Sequence, residues 1–289
     1  MIYYRNTKEC IEEKESLLLK ILYGNIAGRI ILKPFTYRWF TNIGKCYMNS
    51  KLSKHKIKKF IKKNNINMDE YKVEKYNSFD DFFIRKIKDN ARSMSNNKYD
   101  LISPCDSKLS IYKIDNDTVL NIKNSCYTIS ELLCDDELSE KYKDGYCLVF
   151  RLCVDDYHHY HFIDNGEIKN KKIIKGKFHT VRPIAQKHVK VFSENNREWT
   201  LLKTDNFGDV VQIEVGALMV GKICNLAKDK FKKGEEKGYF RFGGSTIVLL
   251  FEKNKVLIDS DILEQSNLGN EVNVKLYETI GRRCSDGIS

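Results

Sequence analysis

Proline is scarce in this chain, with three among 289 residues, and no low-complexity tract or internal repeat interrupts it. Long apolar runs are also missing. No stretch reaches the roughly 18 residues needed for a helical membrane span; the nearest, residues 17–35, is broken by Lys20, Asn25, Arg29 and Lys33. The nine cysteines include no CxxC pair and are odd in number, which argues against a finger-type zinc site and a disulfide framework. Reduced thiols in a cytoplasmic setting are the simplest account. Residues 1–20 carry acidic side chains where a secretory signal would be basic, so no signal peptide is expected. Finally, no acidic residue occurs between Glu15 and Asp69, while 12 Lys/Arg fall there.

That last absence explains the charge balance. The net charge is +11; residues 1–100 carry 22 Lys/Arg against 11 Asp/Glu, and the remainder carries 28 against 28. The whole excess lies in the first third, which is therefore drawn to an anionic surface, either nucleic acid or the acidic face of a membrane. Residues 1–90 read as helical. Leu18, Leu22, Ile26 and Ile30 would stripe one side of a helix, weakened by Gly24 and Gly28 at roughly 1 kcal/mol each. Lys51 to Ile66 is basic and amphipathic, with Ile57, Phe60 and Ile61 inward. Ser78 looks like a helix cap with Asp81 three residues on, placing Phe82, Phe83 and Ile87 inside.

After Asn96 the texture changes to short apolar runs between turn signals, from Leu101-Ile102 and Leu109 to Ile114 through Cys147 to Val154, Val210 to Val215 and Ile247 to Phe251. The expected fold class is α+β: a helical, basic region over residues 1–96, then a mainly antiparallel β domain over 97–289.

Four stretches can carry chemistry. In Phe240-Arg241-Phe242-Gly243-Gly244-Ser245-Thr246, two glycines precede a strand that is apolar throughout. Gly244 lacks a Cβ to obstruct its carbonyl, and Ser245 presents a hydroxyl beside that peptide bond; a tight turn is the ordinary reading of such a sequence. In Asp155-Asp156-Tyr157-His158-His159-Tyr160-His161, three of the six histidines fall within four positions. In a helical turn His158 and His161 would share a face, and histidine is well suited to moving protons near neutrality; a metal site and a structural aromatic cluster are the competing readings. Ser103-Pro104-Cys105-Asp106 is a turn signal whose carboxylate could orient a histidine. Val215 to Ile223 has small residues at near-alternate positions, which suits close packing of another backbone.

These stretches, taken in chain order together with Phe82-Phe83-Ile84-Arg85-Lys86, Val181-Arg182-Pro183-Ile184-Ala185 and Asn196-Arg197-Glu198, resemble the phosphatidylserine decarboxylases over nearly the whole chain. The resemblance implies a self-processing proenzyme. Ser245 would attack the Gly244 carbonyl, with His161 as base and Asp106 as its orienting carboxylate. The chain would then split into a large piece, 1–244, and a small one, 245–289, whose first residue becomes a pyruvoyl group. That covalent cofactor would form a Schiff base with phosphatidylserine and release CO₂, with His158 assisting protonation and phosphatidylethanolamine as product. No metal is implied. The resemblance further implies a peripheral enzyme on the cytoplasmic side of the cell membrane, a homodimer, and anionic lipid rather than nucleic acid as the partner of the basic third.

The chain departs from the family pattern at Ser107, Val154, His159 and Arg182. Ser107 replaces a glycine, which predicts turn strain of roughly 1 kcal/mol if positive φ is required there, and His159 replaces an always-charged fork with a titrating ring. An uncleaved relative that binds anionic lipid is the alternative within the family, and a metal hydrolase built on the histidines is the alternative outside it.

Overall fold

The computed structural model describes the chain apart from residues 14–16, 33–37, 116–118, 123–124, 178, 180–189, 217–221, 244 and 285–289. In chain order the strands are β1 (Ile2–Tyr4), β2 (Glu9–Ile11), β3 (Asp100–Ile102), β4 (Ser107–Lys113), β5 (Val119–Ile122), β6 (Ser125–Thr128), β7 (Tyr146–Leu152), β8 (His159–His161) and β9 (Gly166–Ile174). They continue with β10 (Arg197–Thr204), β11 (Asp209–Gly216), β12 (Ile223–Asn225), β13 (Lys230–Phe231), β14 (Glu236–Phe240), β15 (Ser245–Phe251), β16 (Val256–Ile258), β17 (Glu271–Val274) and β18 (Thr279–Arg283). The helices used below are α1 (Leu17–Gly24), α2 (Ile26–Leu32), α3 (Arg38–Asn49), α4 (Lys56–Asn64) and α5 (Phe79–Phe83).

The strand that follows the two glycines sits mid-sheet. The large sheet runs β13-β9-β10-β11-β15-β7-β4-β17-β1-β2. All seven residues of β15 are buried, because both faces are covered: Ile247, Leu249 and Phe251 enter one core, Val248 and Leu250 the other. A strand covered on both sides has no reason to alternate polar with apolar, hence its uniform sequence. Fully burying each of these side chains is worth about 1.5–3 kcal/mol.

A three-stranded sheet, β12-β14-β8, lies against the first of these cores through Ile223, Tyr160 and Phe240. Its strand β14 leads directly to the glycines and Ser245. The pairings are antiparallel except for β1 beside β17, and the fold class is α+β.

The N-terminal third needs two corrections. Its first eleven residues, read as part of a helical region, form β1 and β2 at the edge of the large sheet. β1 pairs with β17, a neighbour that no local pattern reveals, and β2 pairs with β1. The apolar stripe of residues 17–32 is two helices, interrupted at Asn25, whose side chain accepts from Gly28 N at 2.6 Å and donates to Ile21 O at 2.8 Å. Elsewhere the reading holds. Ile57 of α4 is buried, with Phe60 and Ile61 packed beside it. Ser78 caps α5, accepting from Asp81 N at 3.1 Å, and Phe82 and Phe83 are fully buried. Ser107 does not adopt positive φ and enters β4 directly, so the expected strain is absent.

Candidate active site

Ser245 opens β15, opposite Leu152 of β7 and Gly216 of β11. Strand alternation puts its side chain on the same face as Ile247, toward the core shared with the small sheet. The residue is fully buried, and its Oγ has no hydrogen-bond partner among the described residues. Leaving a buried hydroxyl unpaired costs about 1–3 kcal/mol, so such an atom in a well-packed strand calls for a reason. Two residues earlier, Gly243 adopts φ 138°, a conformation that side chains oppose. Gly244 lies outside the described residues.

The histidines are not on a helix. His159 and His161 belong to β8, which pairs with β14 through His159↔Tyr239 and His161↔Glu236. The ladder supplied by β14 overrides any local helical preference, so His158 and His161 meet different surroundings. His158 packs against Phe83 with the rings tilted by 40° and their centroids 4.0 Å apart, and Phe83 in turn meets Phe242 at 5.2 Å. His158 is thus joined through Phe83 to the residue just before the two glycines.

His158 Nδ1 lies 2.9 Å from Asp156 O. A carbonyl only accepts, so Nδ1 carries the proton and Nε2 keeps its lone pair. Nε2 is buried and unpartnered. Burial lowers the His158 pKa to about 3, with Asp156 opposing and Arg85 assisting. The carbonyl that orients it is itself well anchored. Burial pushes the Asp156 carboxyl up, but Lys108, Lys275 and the Cys153 N–H outweigh that and hold it below the usual range; Lys108 Nζ lies 3.3 Å away. Arg85, fully buried, donates Nη2 to Asp155 O at 3.0 Å and lies 4.4 Å over the Tyr71 ring.

His161 donates its backbone N–H to Pro104 O at 2.9 Å, which docks the Ser103–Asp106 turn on β8. Its Nδ1 is buried and unpartnered. Burial lowers its pKa to about 4, against the pull of Glu236. Both rings are therefore neutral bases at physiological pH. The His161 ring meets Tyr277 edge-on at 5.3 Å, and Tyr277 holds a positive φ of 70°, an arrangement that costs of order 1–3 kcal/mol and gathers at functional sites.

Asp106 is buried and its bonds are fully used. Oδ1 accepts from Leu276 N at 2.7 Å; Oδ2 takes Arg92 Nη2 at 3.1 Å and Lys275 Nζ at 3.3 Å. Among the described residues no hydrogen bond joins Asp106 to His161, and Ser245 Oγ is bonded to neither histidine. The fold brings the Asp106 turn and His161 together through backbone and through Tyr277, not through the carboxylate itself. His159, the third histidine, is a structural joint: its ring is sandwiched between Tyr157 and Tyr239, with Nδ1 2.7 Å from Glu236 and Nε2 3.1 Å from Ile84 O.

Other stretches of the sequence pattern are packing elements or fall elsewhere. Arg197 is buried and spends its guanidinium on the carbonyls of Leu132, Ser193, Asn195 and Glu131. Residues 181–185, with Arg182, and 217–221 lie outside the described residues. Sequence reasoning missed Arg92, Lys275, Lys108 and Tyr277, none of which has a distinctive local setting. It also read Asp80 only as part of a helix start.

Residues 79–282 match the family model described as phosphatidylserine decarboxylase. The chain is 55% identical over 283 residues to phosphatidylserine decarboxylase proenzyme 2 of Clostridium acetobutylicum, covering 97% of each. It is 46% identical to the phosphatidylserine decarboxylase proenzyme of Clostridium tetani, with 98% of each covered, and 42% identical to that of Clostridium beijerinckii, again over 98% of each. The chain belongs to the phosphatidylserine decarboxylase family.

Proposed function

We propose that the protein is a self-processing, pyruvoyl-dependent enzyme that converts phosphatidylserine to phosphatidylethanolamine and CO₂. The observation that carries this reading is Ser245: a buried hydroxyl without a partner, heading a packed strand just after a glycine at φ 138°.

In the processing step Ser245 Oγ attacks the Gly244 carbonyl carbon. The hydroxyl proton passes to neutral His161, and the amide nitrogen leaves as a free amine after taking up a proton. The peptide bond has become an ester. Elimination then removes the Ser245 Cα proton and breaks the Cβ–Oγ bond, releasing a chain that ends in the Gly244 carboxylate and leaving dehydroalanine at 245; this tautomerises to an imine, and water replaces its nitrogen, which departs as ammonia. Asp106 supports His161 in this reading by anchoring the turn whose Pro104 carbonyl holds it.

The residues suit the group so made, since Ser245 supplies its carbon frame and is fixed by β7 and β11 on either side. A pyruvoyl group contributes an electron-withdrawing carbonyl conjugated to the amino-acid headgroup as CO₂ leaves. His158 then has the remaining task, returning a proton to carbon. Its orientation is set by Asp156 O, and burial makes its protonated form a strong, short-lived acid.

The basic first third, taken as residues 1–96 beside a catalytic 97–289, would hold the enzyme on the cytoplasmic face of the cell membrane by attraction to anionic lipid. Among the described residues no helix is long and apolar enough to cross a membrane. A homodimer of two-chain protomers completes the proposal. The test is purified protein with phosphatidylserine-containing vesicles, followed by mass spectrometry of lipid. Accumulating phosphatidylethanolamine with equimolar CO₂ supports the reading; unchanged phosphatidylserine overturns it.

A further inference from the structure

The residues just before the cleavage position are held from outside their own strand. β14 ends at Phe240, leaving Arg241, Phe242, Gly243 and Gly244 before Ser245. Asp80, on the first turn of α5, reaches two of these four. Its Oδ1 accepts from the backbone N–H of Phe242 at 3.0 Å. Its Oδ2 takes the Arg241 guanidinium through Nε at 2.7 Å and Nη2 at 2.6 Å. Asp80 is 3% exposed, while the Arg241 side chain is partly open to solvent. On the other side of the backbone, the Phe242 ring fits between Phe79 and Phe83, edge to face at 5.2 Å from each. One short helix thus grips a main-chain N–H, a side-chain cation and a ring within two consecutive residues.

Resting on the reading above, we infer that Asp80 is a positioning residue for self-cleavage: through α5 it immobilises Arg241 and Phe242, the residues that lead into the scissile position before Ser245. Capping by Ser78 aims the first turn of α5 at this segment. The consequence for rate is one of orientation. An intramolecular attack is fast only when the reacting atoms are held in place, and fixing a residue's backbone restricts freedom that would otherwise be lost at the transition state. The same helix carries Phe83 against His158, so one element sets both the segment to be cut and a histidine assigned to the later chemistry. Asp80 touches neither Ser245 Oγ nor substrate, and its role is confined to geometry.

The test follows cleavage of freshly synthesised precursor by gel and intact mass, with melting temperature measured on the same samples. Wild-type precursor splitting at 244/245 is the internal reference. Asp80→Ala is expected to slow splitting about ten- to hundred-fold, the range for losing a charge-assisted hydrogen bond that acts only on geometry. Asp80→Asn, which keeps an acceptor for the Phe242 N–H, should recover part of that rate. Arg241→Gln, at a half-exposed position and sparing the backbone bond, should slow it less. Asp80→Ala that folds and splits at the wild-type rate overturns the inference. If that variant does not fold, Arg241→Gln and Asp80→Asn decide, and wild-type rates in both overturn it. A wild type that never splits removes the proposed function itself, and this inference with it.

Discussion

Two polar clusters lie on and beside the small sheet β12-β14-β8, and they are built on opposite principles. In the first, Lys237 Nζ lies 2.8 Å from Glu214 Oε1 and 2.8 Å from Asn225 Oδ1; Asn225 Nδ2 bonds Glu214 and Glu198, and Tyr160 OH donates to Asn225. The buried pair, Lys237 and Glu214, is fully partnered, with the exposed Asn225 bonded to both, as buried charges must be. In the second, Ser245 Oγ, His158 Nε2 and His161 Nδ1 are equally buried and have none. The first cluster fastens β12 and β14 to the large sheet. The second keeps its lone pairs uncommitted, which stability alone would not favour and proton transfer requires.

The sharpest way to break this comparison is Ser245→Ala. It should abolish both chain splitting and CO₂ release, measured by intact mass and lipid analysis, while melting as well as the wild type, since it removes an unpaired hydroxyl. His161→Ala should come next, slowing splitting about 10²–10⁴-fold, the usual contribution of a positioned base, as read from precursor decay. His158→Ala should separate the two reactions: splitting proceeds, and CO₂ release by the split protein falls by about 10²-fold or more.

Lys237→Met tests the other cluster. Stranding Glu214 should cost about 3–5 kcal/mol in urea unfolding, while splitting per folded molecule is unchanged. Loss of splitting with full stability would erase the distinction between the clusters. The smallest effect is one of pH. Burial places the His161 pKa at about 4, below the ordinary value of 6.5. The depressed value keeps the base neutral on acidification, so the splitting rate should stay flat from pH 8 to 5. A base titrating at 6.5 would instead lose about tenfold per pH unit below that point.

Much of the second cluster was legible in sequence, because its residues sit in short, unusual runs. Two glycines before an unbroken apolar run pointed to Ser245 and its buried strand, and the crowding of histidines pointed to the base proposed for it. What holds these residues was not legible. Asp80 and Arg241 are 161 positions apart, and Asp106 and Lys275 are 169 apart; only the closed sheet makes them neighbours. For the same reason two helical readings failed, one at the first residues of the chain and one at the histidines. β1 is three residues whose partner β17 lies near the far end of the chain, and β8 is three residues stabilised by β14. Strands that short draw their identity from the ladder they join, not from their own composition. The expected Asp106–His161 relay illustrates the limit well: the two residues do come into one neighbourhood, but the carboxylate is already occupied by Arg92, Lys275 and Leu276 N.

The central claim, that Ser245 cuts its own chain, is tested most directly by intact mass of the purified protein under denaturing conditions. The account predicts two chains divided between Gly244 and Ser245, the smaller beginning with a pyruvoyl group. A single full-length chain that persists in fresh, folded and aged samples would contradict it.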